Sequence, residues 1–247
     1  MKNSLRRAAI ILDFTCALVT PCAHGIVGQP GTLDTTWNLT GKVITPIGSG
    51  EDDITAMTVQ PDGKVLVAGF CINSTNYGFC AARYLANGTL DTTWSLTGKV
   101  ITPIGTSADV ATAMTLQPDG KLLLAGHCFN LTNFNDDFCA ARYLANGTLD
   151  TTWNGTGKVI TPIGSSNGVA NAITLQPDGK VLLAGYCMTG TDQDFCTARY
   201  LANGTLDTTW NGTGKVITPI IGSSIDSATA MTLQPDGKLL LAGHCFN

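Results

Sequence analysis

Charge is scarce in this sequence. Only 13% of its 247 residues are charged and the net charge is −4, so no basic surplus exists to follow a phosphate backbone. That argues against a nucleic-acid partner. No apolar run reaches the roughly 20 residues of a spanning helix, so no transmembrane domain is expected in the body of the chain. Histidine is rarer still, at His24, His127 and His244. Nucleophile elbows, glycine-rich phosphate loops and zinc-protease motifs are missing, so no catalytic residues, metal or cofactor are assigned. With 44% hydrophobic residues the chain can bury a core, and 28 glycines and 10 prolines point to many turns.

What the sequence does hold is repetition, and this decides the architecture. Trp37, Trp94, Trp153 and Trp210 each close the phrase Leu-Asp-Thr-Thr-Trp, at intervals of 57, 59 and 57 residues. Gln-Pro-Asp-Gly-Lys begins at Gln60, Gln117, Gln176 and Gln234. Residues 26–247 thus read as one repeat domain of about four units of about 58 residues, the last stopping partway through at Asn247. Each unit is strand-like throughout. Ala113–Gln117 (A) turns through Pro118-Asp-Gly120 into Leu122–Ala125 (B), an Asp-Gly hairpin signal. Phe138–Leu144 (C) ends at Asn146-Gly147, and Lys158–Ile163 (D) closes the unit. Proline places D at a sheet edge, and the aliphatic run places B inside. The expectation is an all-β, β-propeller-like array of four-stranded antiparallel blades, with a solenoid of stacked sheets as the alternative.

The pattern Ala-Arg-Tyr-x-x-Asn-Gly-Thr-Leu-Asp-Thr-Thr-Trp-x-x-x-Gly-Lys-Val, followed by Gln-Pro-Asp-Gly-Lys-Val-Leu-x-Ala-Gly, resembles the delta-60 repeat of bacterial secreted and surface proteins over residues 31–247. The resemblance implies a propeller-like fold without an assigned activity. Trp stands here where the family pattern has Phe, and the paired cysteines lie outside its core motif.

Nine cysteines suggest an oxidising compartment. Seven follow the repeat: Cys71, Cys128, Cys187 and Cys245 end strand B, while Cys80, Cys139 and Cys196 begin strand C. Disulfides Cys71–Cys80, Cys128–Cys139 and Cys187–Cys196 are expected across the hairpin, ahead of free buried thiols or a zinc site using His127 or His244. Lys2, Arg6 and Arg7 precede an apolar stretch from Ala8 to about Thr20 that Asp13 interrupts. Residues 1–25 therefore read as a signal peptide, with an uncleaved anchor as the alternative, and the location as secreted, periplasmic or cell-surface. Cys22 falls almost where a strand-C cysteine belongs. A Cys22–Cys245 latch is thus a further expectation, in which residues 22–47 complete the unfinished last repeat.

Arg83, Arg142 and Arg199 are expected to pair with Asp91, Asp150 and Asp207, or these aspartates to hydrogen-bond their own turns. The acidic pairs Asp52/Asp53, Asp136/Asp137 and Asp192/Asp194 match no calcium loop and are expected to be solvated. Eight Asn-x-Thr sequons occur, three of them at the Asn-Gly turn. The A–B and C–D connections barely vary between repeats, whereas the D–A and B–C loops carry nearly all the differences. Loops on a rigid scaffold are where binding residues collect. The candidate binding residues are Tyr77, Phe129, Phe134, Asp136, Asp137, Asp192 and Asp194, facing a protein or glycan at the cell surface. Two alternatives stand beside this interaction module: a propeller hydrolase or lyase working over the central channel, and a fragment of a larger repeat protein.

Overall fold

Antiparallel hairpins built on one repeated turn make up nearly the whole chain. The computed structural model describes residues 9–11, 31–220 and 225–246. Most of the signal-like segment, with Cys22 and its proposed latch, lies outside the described residues. Strand β1 (Ala9–Ile11) pairs antiparallel with β2 (Lys42–Ile44). The first complete blade is β3 (Asp52–Val59), β4 (Val65–Asn73), β5 (Asn76–Tyr84) and β6 (Lys99–Thr102), in that spatial order. The second is β7 (Asp109–Leu116), β8 (Leu122–Asn130), β9 (Asn135–Tyr143) and β10 (Lys158–Thr161). The third is β11 (Gly168–Leu175), β12 (Val181–Thr189), β13 (Asp192–Tyr200) and β14 (Lys215–Thr218). An A–B hairpin, β15 (Ile225–Leu233) and β16 (Leu239–Phe246), begins a fourth and meets the third through a parallel pairing at Gln193 and Ile225.

The sequence pattern places D at the edge and B in the middle of each sheet, and both positions are observed. Pro103 and Pro162 lie just beyond β6 and β10, where no ladder bond is asked of them. The central B strands bury five consecutive residues, Leu122 to Gly126 in the second blade. Strand lengths are a correction. A, B and C run eight or nine residues, so β8 and β9 continue past Cys128 and Cys139 almost to the hairpin tip. The cause is antiparallel pairing, which extends polar residues such as Asn130 and Asp136 into the ladder regardless of propensity.

Each A strand carries a bulge, at Thr55, Thr112, Asn171 and Thr229, where the register skips a residue. The bulge pushes the A-strand backbone toward strand B. A Cβ on Gly126 would lie 1.9 Å from the Val110 carbonyl oxygen, and Gly69, Gly185 and Gly243 are equally tight. This is why every B strand reads Ala-Gly. The freed side chain reaches outward: Thr55 donates to the Ala111 carbonyl of the next blade at 2.7 Å, and Asn171 to that of Ala228 at 2.9 Å.

Blades are joined by tryptophan. One-turn 3-10 segments present Trp37, Trp94 and Trp153 to the Asn-Gly turn of the following blade. Gly88, Gly147 and Gly204 hold φ between 84° and 90°, and a Cβ at any of them would lie 2.6–2.7 Å from the tryptophan ring. The glycine thus serves the turn and the packing together. Ser95 N–H donates to the Asn146 carbonyl at 2.7 Å alongside the ring, as Asn154 N–H does to that of Asn203. Trp94 and Trp153 are 1% and 0% exposed. The D strands add a bond in the opposite direction: the ammonium groups of Lys99, Lys158 and Lys215 donate to the carbonyls of Pro46, Pro103 and Pro162.

The repeated arginine and aspartate do both things expected of them. Arg142 donates from Nε (2.9 Å) and an η nitrogen (2.8 Å) to one oxygen of Asp150, while the other oxygen accepts from the Thr152 amide and hydroxyl. The same guanidinium lies 5.7 Å from the Trp153 ring and donates to the Ala202 carbonyl in the next blade. Burial opposes the charge on Asp150, but the Thr152 hydroxyl and Arg142 outweigh it and hold the carboxyl below its usual range. A carboxyl depressed by folding contributes stability that is complete above its unfolded pKa, about 3.9, and is lost as pH falls through the folded value.

Two expected outcomes follow from these contacts. Asp150→Asn leaves Arg142 unpaired and destabilises by about 3 kcal/mol at neutral pH, while the fall in melting temperature below about pH 4 becomes shallower. Thermal melts from acid to neutral pH check both. Leu96 sits at φ 65° and is 90% exposed, where repeats three and four have Gly155 and Gly212. Left-handed backbone costs a non-glycine residue about 1–2 kcal/mol, of which glycine's chain entropy returns about half. Leu96→Gly therefore raises the melting temperature, whereas Gly126→Ala lowers it sharply.

Candidate functional site: the variable loop face

The B–C hairpin tips and D–A loops share one end of the array, and hydrogen bonds tie them to each other. The amides of Ser49, Thr106 and Ser165 donate to the carbonyls of Ile72, Phe129 and Met188. Tyr77 N–H donates to the Ser107 carbonyl at 3.1 Å, and Asp136 N–H to the Asn167 side chain at 3.0 Å. The Thr106–Ser107 loop therefore bridges Tyr77 of the first blade and Phe129 of the second. Beside it lies a cleft of about 190 Å³ lined by Asn73, Asn76, Tyr77, Pro103, Thr106 and Asp109.

The candidate residues divide by exposure. Phe134 is 72% exposed at the tip of the β8–β9 hairpin, in left-handed backbone at φ 58°. Tyr77 is half-buried with its ring edge-on to Phe70 at 5.4 Å, and Phe129 is half-buried in β8. Asp136 and Asp192 are half-buried too. The Asp136 charge acts on His127 of the same hairpin and on Tyr186 of the third blade, whose hydroxyl is pushed up mainly by burial. Burial holds the His127 imidazole below its usual range against the pull of Asp136 and Asp109.

Expected solvation fails for three of the acidic residues. Asp137, Asp194 and Asp52 are buried, at 1%, 5% and 5% exposure. Asp137 accepts from Asn130 at 2.8 Å and from Asn133, and Asp194 accepts from the Thr189 hydroxyl. Both carboxylates hold the hairpin from beneath instead of presenting a charge. Asp52 caps its D–A loop, accepting the amides of Ile47 and Gly48 at 2.8 Å each. Asp109 does the same for Ile104 and Gly105, and burial raises its carboxyl despite those two bonds. Asp226 takes the Ile220 amide. This loop aspartate was the functional device missed in the sequence. Its signal was its recurrence at Asp52, Asp109 and Asp226, which reading Asp52 together with Asp53 as a local pair concealed.

The three cysteine pairs are bonded as the repeat implied. Cα separations are 5.8 Å for Cys71–Cys80, 5.9 Å for Cys128–Cys139 and 5.7 Å for Cys187–Cys196. Register makes them diagonal instead of directly opposite: Cys128 faces Asp137, and Cys139 faces Gly126. All six cysteines are fully buried. The thiolates that a zinc site beside His127 would need are thus consumed by the Cys128–Cys139 bond. Cys245 is a free, half-buried thiol whose pKa the Asp226 side chain raises through a hydrogen bond.

Three segments match one family model. Residues 60–93, 117–152 and 176–209 each match a family described as a domain of unknown function (DUF5122), beta-propeller. The matches begin at the Gln-Pro-Asp-Gly-Lys turn and end at the Leu-Asp-Thr-Thr-Trp turn, so they span strands B and C and the Asn-Gly turn. No curated protein matches the chain. Among solved structures it is similar to an endo-arabinase from Bacteroides thetaiotaomicron VPI-5482, with 15% identity and a TM-score of 0.42 over 80% of this chain and 75% of that one. It is also similar to Sqt1 from Chaetomium thermophilum, with 14% identity and a TM-score of 0.35 over 78% of this chain and 41% of that one.

Closing a loop of about 10 residues stabilises by roughly 2.7 kcal/mol in the chain-entropy description. Replacing Cys128 and Cys139 together by Ala is expected to cost about that much in denaturant unfolding while leaving the far-ultraviolet strand signal intact. A reducing agent should then lower the stability of this variant less than that of the wild type.

Proposed function

We propose that this chain is a secreted or surface-displayed, delta-60-type propeller whose variable loop face binds a glycan or protein partner. The observation that carries the reading is the exposed Phe134 on a hairpin that the buried Cys128–Cys139 bond and buried Asp137 hold, with Phe129 of that hairpin and Tyr77 of the first blade tied together through the Thr106–Ser107 loop. Aromatic rings on a stiff support give contact area at little entropic cost, and Asp136, Asp192, Asn73 and Asn76 supply polar groups around them. The binding surface in this reading is Tyr77, Phe129, Phe134, Asp136 and Asp192, with Asp137 and Asp194 as its internal braces.

The compartment belongs to the same proposal. Three disulfides fit an oxidising environment, and among the described residues no helix is long and apolar enough to cross a membrane. Residues 1–25 are proposed as a signal peptide and residues 26–247 as a single repeat domain. Cleavage near Ala23 or Gly25 would remove Cys22, which sets the latch to Cys245 and the signal peptide against each other. N-terminal sequencing of protein recovered from the medium or periplasm is expected to begin at residues 23–26.

Binding is tested by replacing Tyr77, Phe129 and Phe134 together with Ser and measuring retention on whole cells and on a glycan array. Loss of about 2 kcal/mol or more, roughly a thirtyfold weaker interaction, is expected if these rings are the hot spot. Phe134→Ser alone is the control for folding, since that ring is exposed. Equal binding by wild type and triple variant would remove this face as the site.

A further inference from the structure

Asparagine followed by glycine readily loses its side-chain amide, because a glycine amide has no Cβ beside it to hinder attack on the neighbouring Cγ. Six such pairs occur, at Asn87, Asn146, Asn154, Asn167, Asn203 and Asn211. The fold treats them in two ways. At Asn87, Asn146 and Asn203 the glycine amide donates to the carbonyl of Leu85, Leu144 or Leu201 at 2.8 Å. Each asparagine Oδ1 accepts from the next threonine; for Asn146 these are the Thr148 amide at 3.0 Å and its hydroxyl at 2.8 Å. Gly88, Gly147 and Gly204 are buried against tryptophan rings, so this stretch of backbone cannot swing. Asn167 is held as well: its Oδ1 accepts the Asp136 amide, and the buried Gly168 opens strand β11.

Asn154 and Asn211 lie elsewhere, directly after Trp153 and Trp210. Both are exposed, in left-handed backbone at φ 51° and 52°. Each precedes an exposed, left-handed glycine with nothing within 4 Å of the place a Cβ would take. Neither Oδ1 accepts a hydrogen bond among the described residues. One bond holds each side chain, from Nδ2 to the Lys158 carbonyl at 3.0 Å or the Lys215 carbonyl at 3.1 Å. The Gly212 amide donates to no backbone carbonyl among the described residues. The first two repeats lack the pair at this place. They carry Asn38-Leu39 and Ser95-Leu96, with leucine in left-handed backbone at φ 62° and 65°. Glycine relieves that strain in the third and fourth tryptophan turns, and in doing so leaves the asparagine before it open to attack.

We propose that Asn154 and Asn211 are sites of spontaneous deamidation and isoaspartate formation, and that the fold protects the other four pairs. The Gly155 amide nitrogen gives up its proton and bonds to Asn154 Cγ. The Cγ–Nδ2 bond breaks, and the departing nitrogen takes that proton and leaves as ammonia. The succinimide so formed takes up one water at either carbonyl. Opening at Cγ gives aspartate, and opening at the main-chain carbonyl gives isoaspartate, with nothing oxidised or reduced. In both products the donor to the Lys158 carbonyl is gone, and a carboxylate stands in its place. Isoaspartate also routes the main chain through Cβ directly after Trp153, beside the Asn154 amide that donates to the Asn203 carbonyl across the seam. Age therefore loosens the joint between the second and third blades. This chemistry belongs to the tryptophan turns and is independent of the proposed loop face.

Peptide mapping by mass spectrometry of the purified chain, aged at mildly alkaline pH, tests it, with isoaspartate located by enzymatic methylation. Attack at Asn146 or Asn203 must first break the glycine amide's bond and both bonds to Oδ1. Asn154 and Asn211 are therefore expected to convert about a hundredfold faster than those two in the folded chain. In urea the six rates should converge. Leu39→Gly should bring Asn38 into the fast group, and Gly155→Leu should silence Asn154 alone. Aged wild type should melt below fresh protein, whereas a chain with Asn154→Ser and Asn211→Ser, which copy Ser95, should not change on ageing. Asn146 converting as fast as Asn154 in the folded chain overturns the proposal. So does an Asn154 that stays intact in the folded chain while it converts in urea. An unaltered melting temperature after full conversion overturns the loosening of the seam. The comparison among pairs uses the wild-type chain alone, so it decides even where a variant fails to fold.

Discussion

The fold depends on one contact, a tryptophan ring packed against a glycine of the next blade. A four-stranded sheet of short strands has two apolar faces and cannot bury both alone. The Trp turn gives each blade a large side chain aimed at its neighbour, and the Asn-Gly turn gives the neighbour a surface without a Cβ to receive it. Around this contact the remaining groups are satisfied locally: Arg142 stacks near the tryptophan, pairs with Asp150 and reaches the following turn's carbonyl. The phrase from Ala-Arg-Tyr to Trp is therefore one device.

Stacking by nearest neighbours has an energetic corollary. Stability of such an array is close to a sum of blade terms and seam terms, so the interior blades gain from two seams and the terminal ones from one. The burial record agrees. The first cluster, around Trp37, Val65, Val67, Ala82 and Tyr84, is smaller than the two that lie between complete blades. Strand β16 exposes residues that its equivalent in the second blade, β8, buries.

Strand order, the edge position of D, the interior position of B and the cysteine pairing were all legible in the sequence, because each follows from a residue type with a narrow physical role. Proline cannot donate to a ladder, and a continuous aliphatic run must be covered. A cysteine at the same place in every hairpin needs a partner across it. The strand ends were not legible, since Asn130, Asn135 and Asp136 read as loop and are strand by pairing alone. Nor was the burial of Asp137 and Asp194. Charge in a variable loop suggests solvent, and only the amide of Asn130 or the hydroxyl of Thr189 beneath the hairpin explains otherwise. The A-strand bulge left a clearer trace, in the Ala-Gly that recurs opposite it.

The disulfides also separate the length of a binding loop from the geometry of its support. Nine positions separate the cysteines in the first and third blades, but eleven in the second, and the Cα separation changes by no more than 0.2 Å. Residues gained or lost beyond the bridge do not propagate into the blade. A protease that cut the exposed tip near Phe134 would leave β8 and β9 covalently joined beneath the wound. Each hairpin is thus an anchored cassette, free to lengthen, shorten or be nicked at its tip while the blade below keeps its shape.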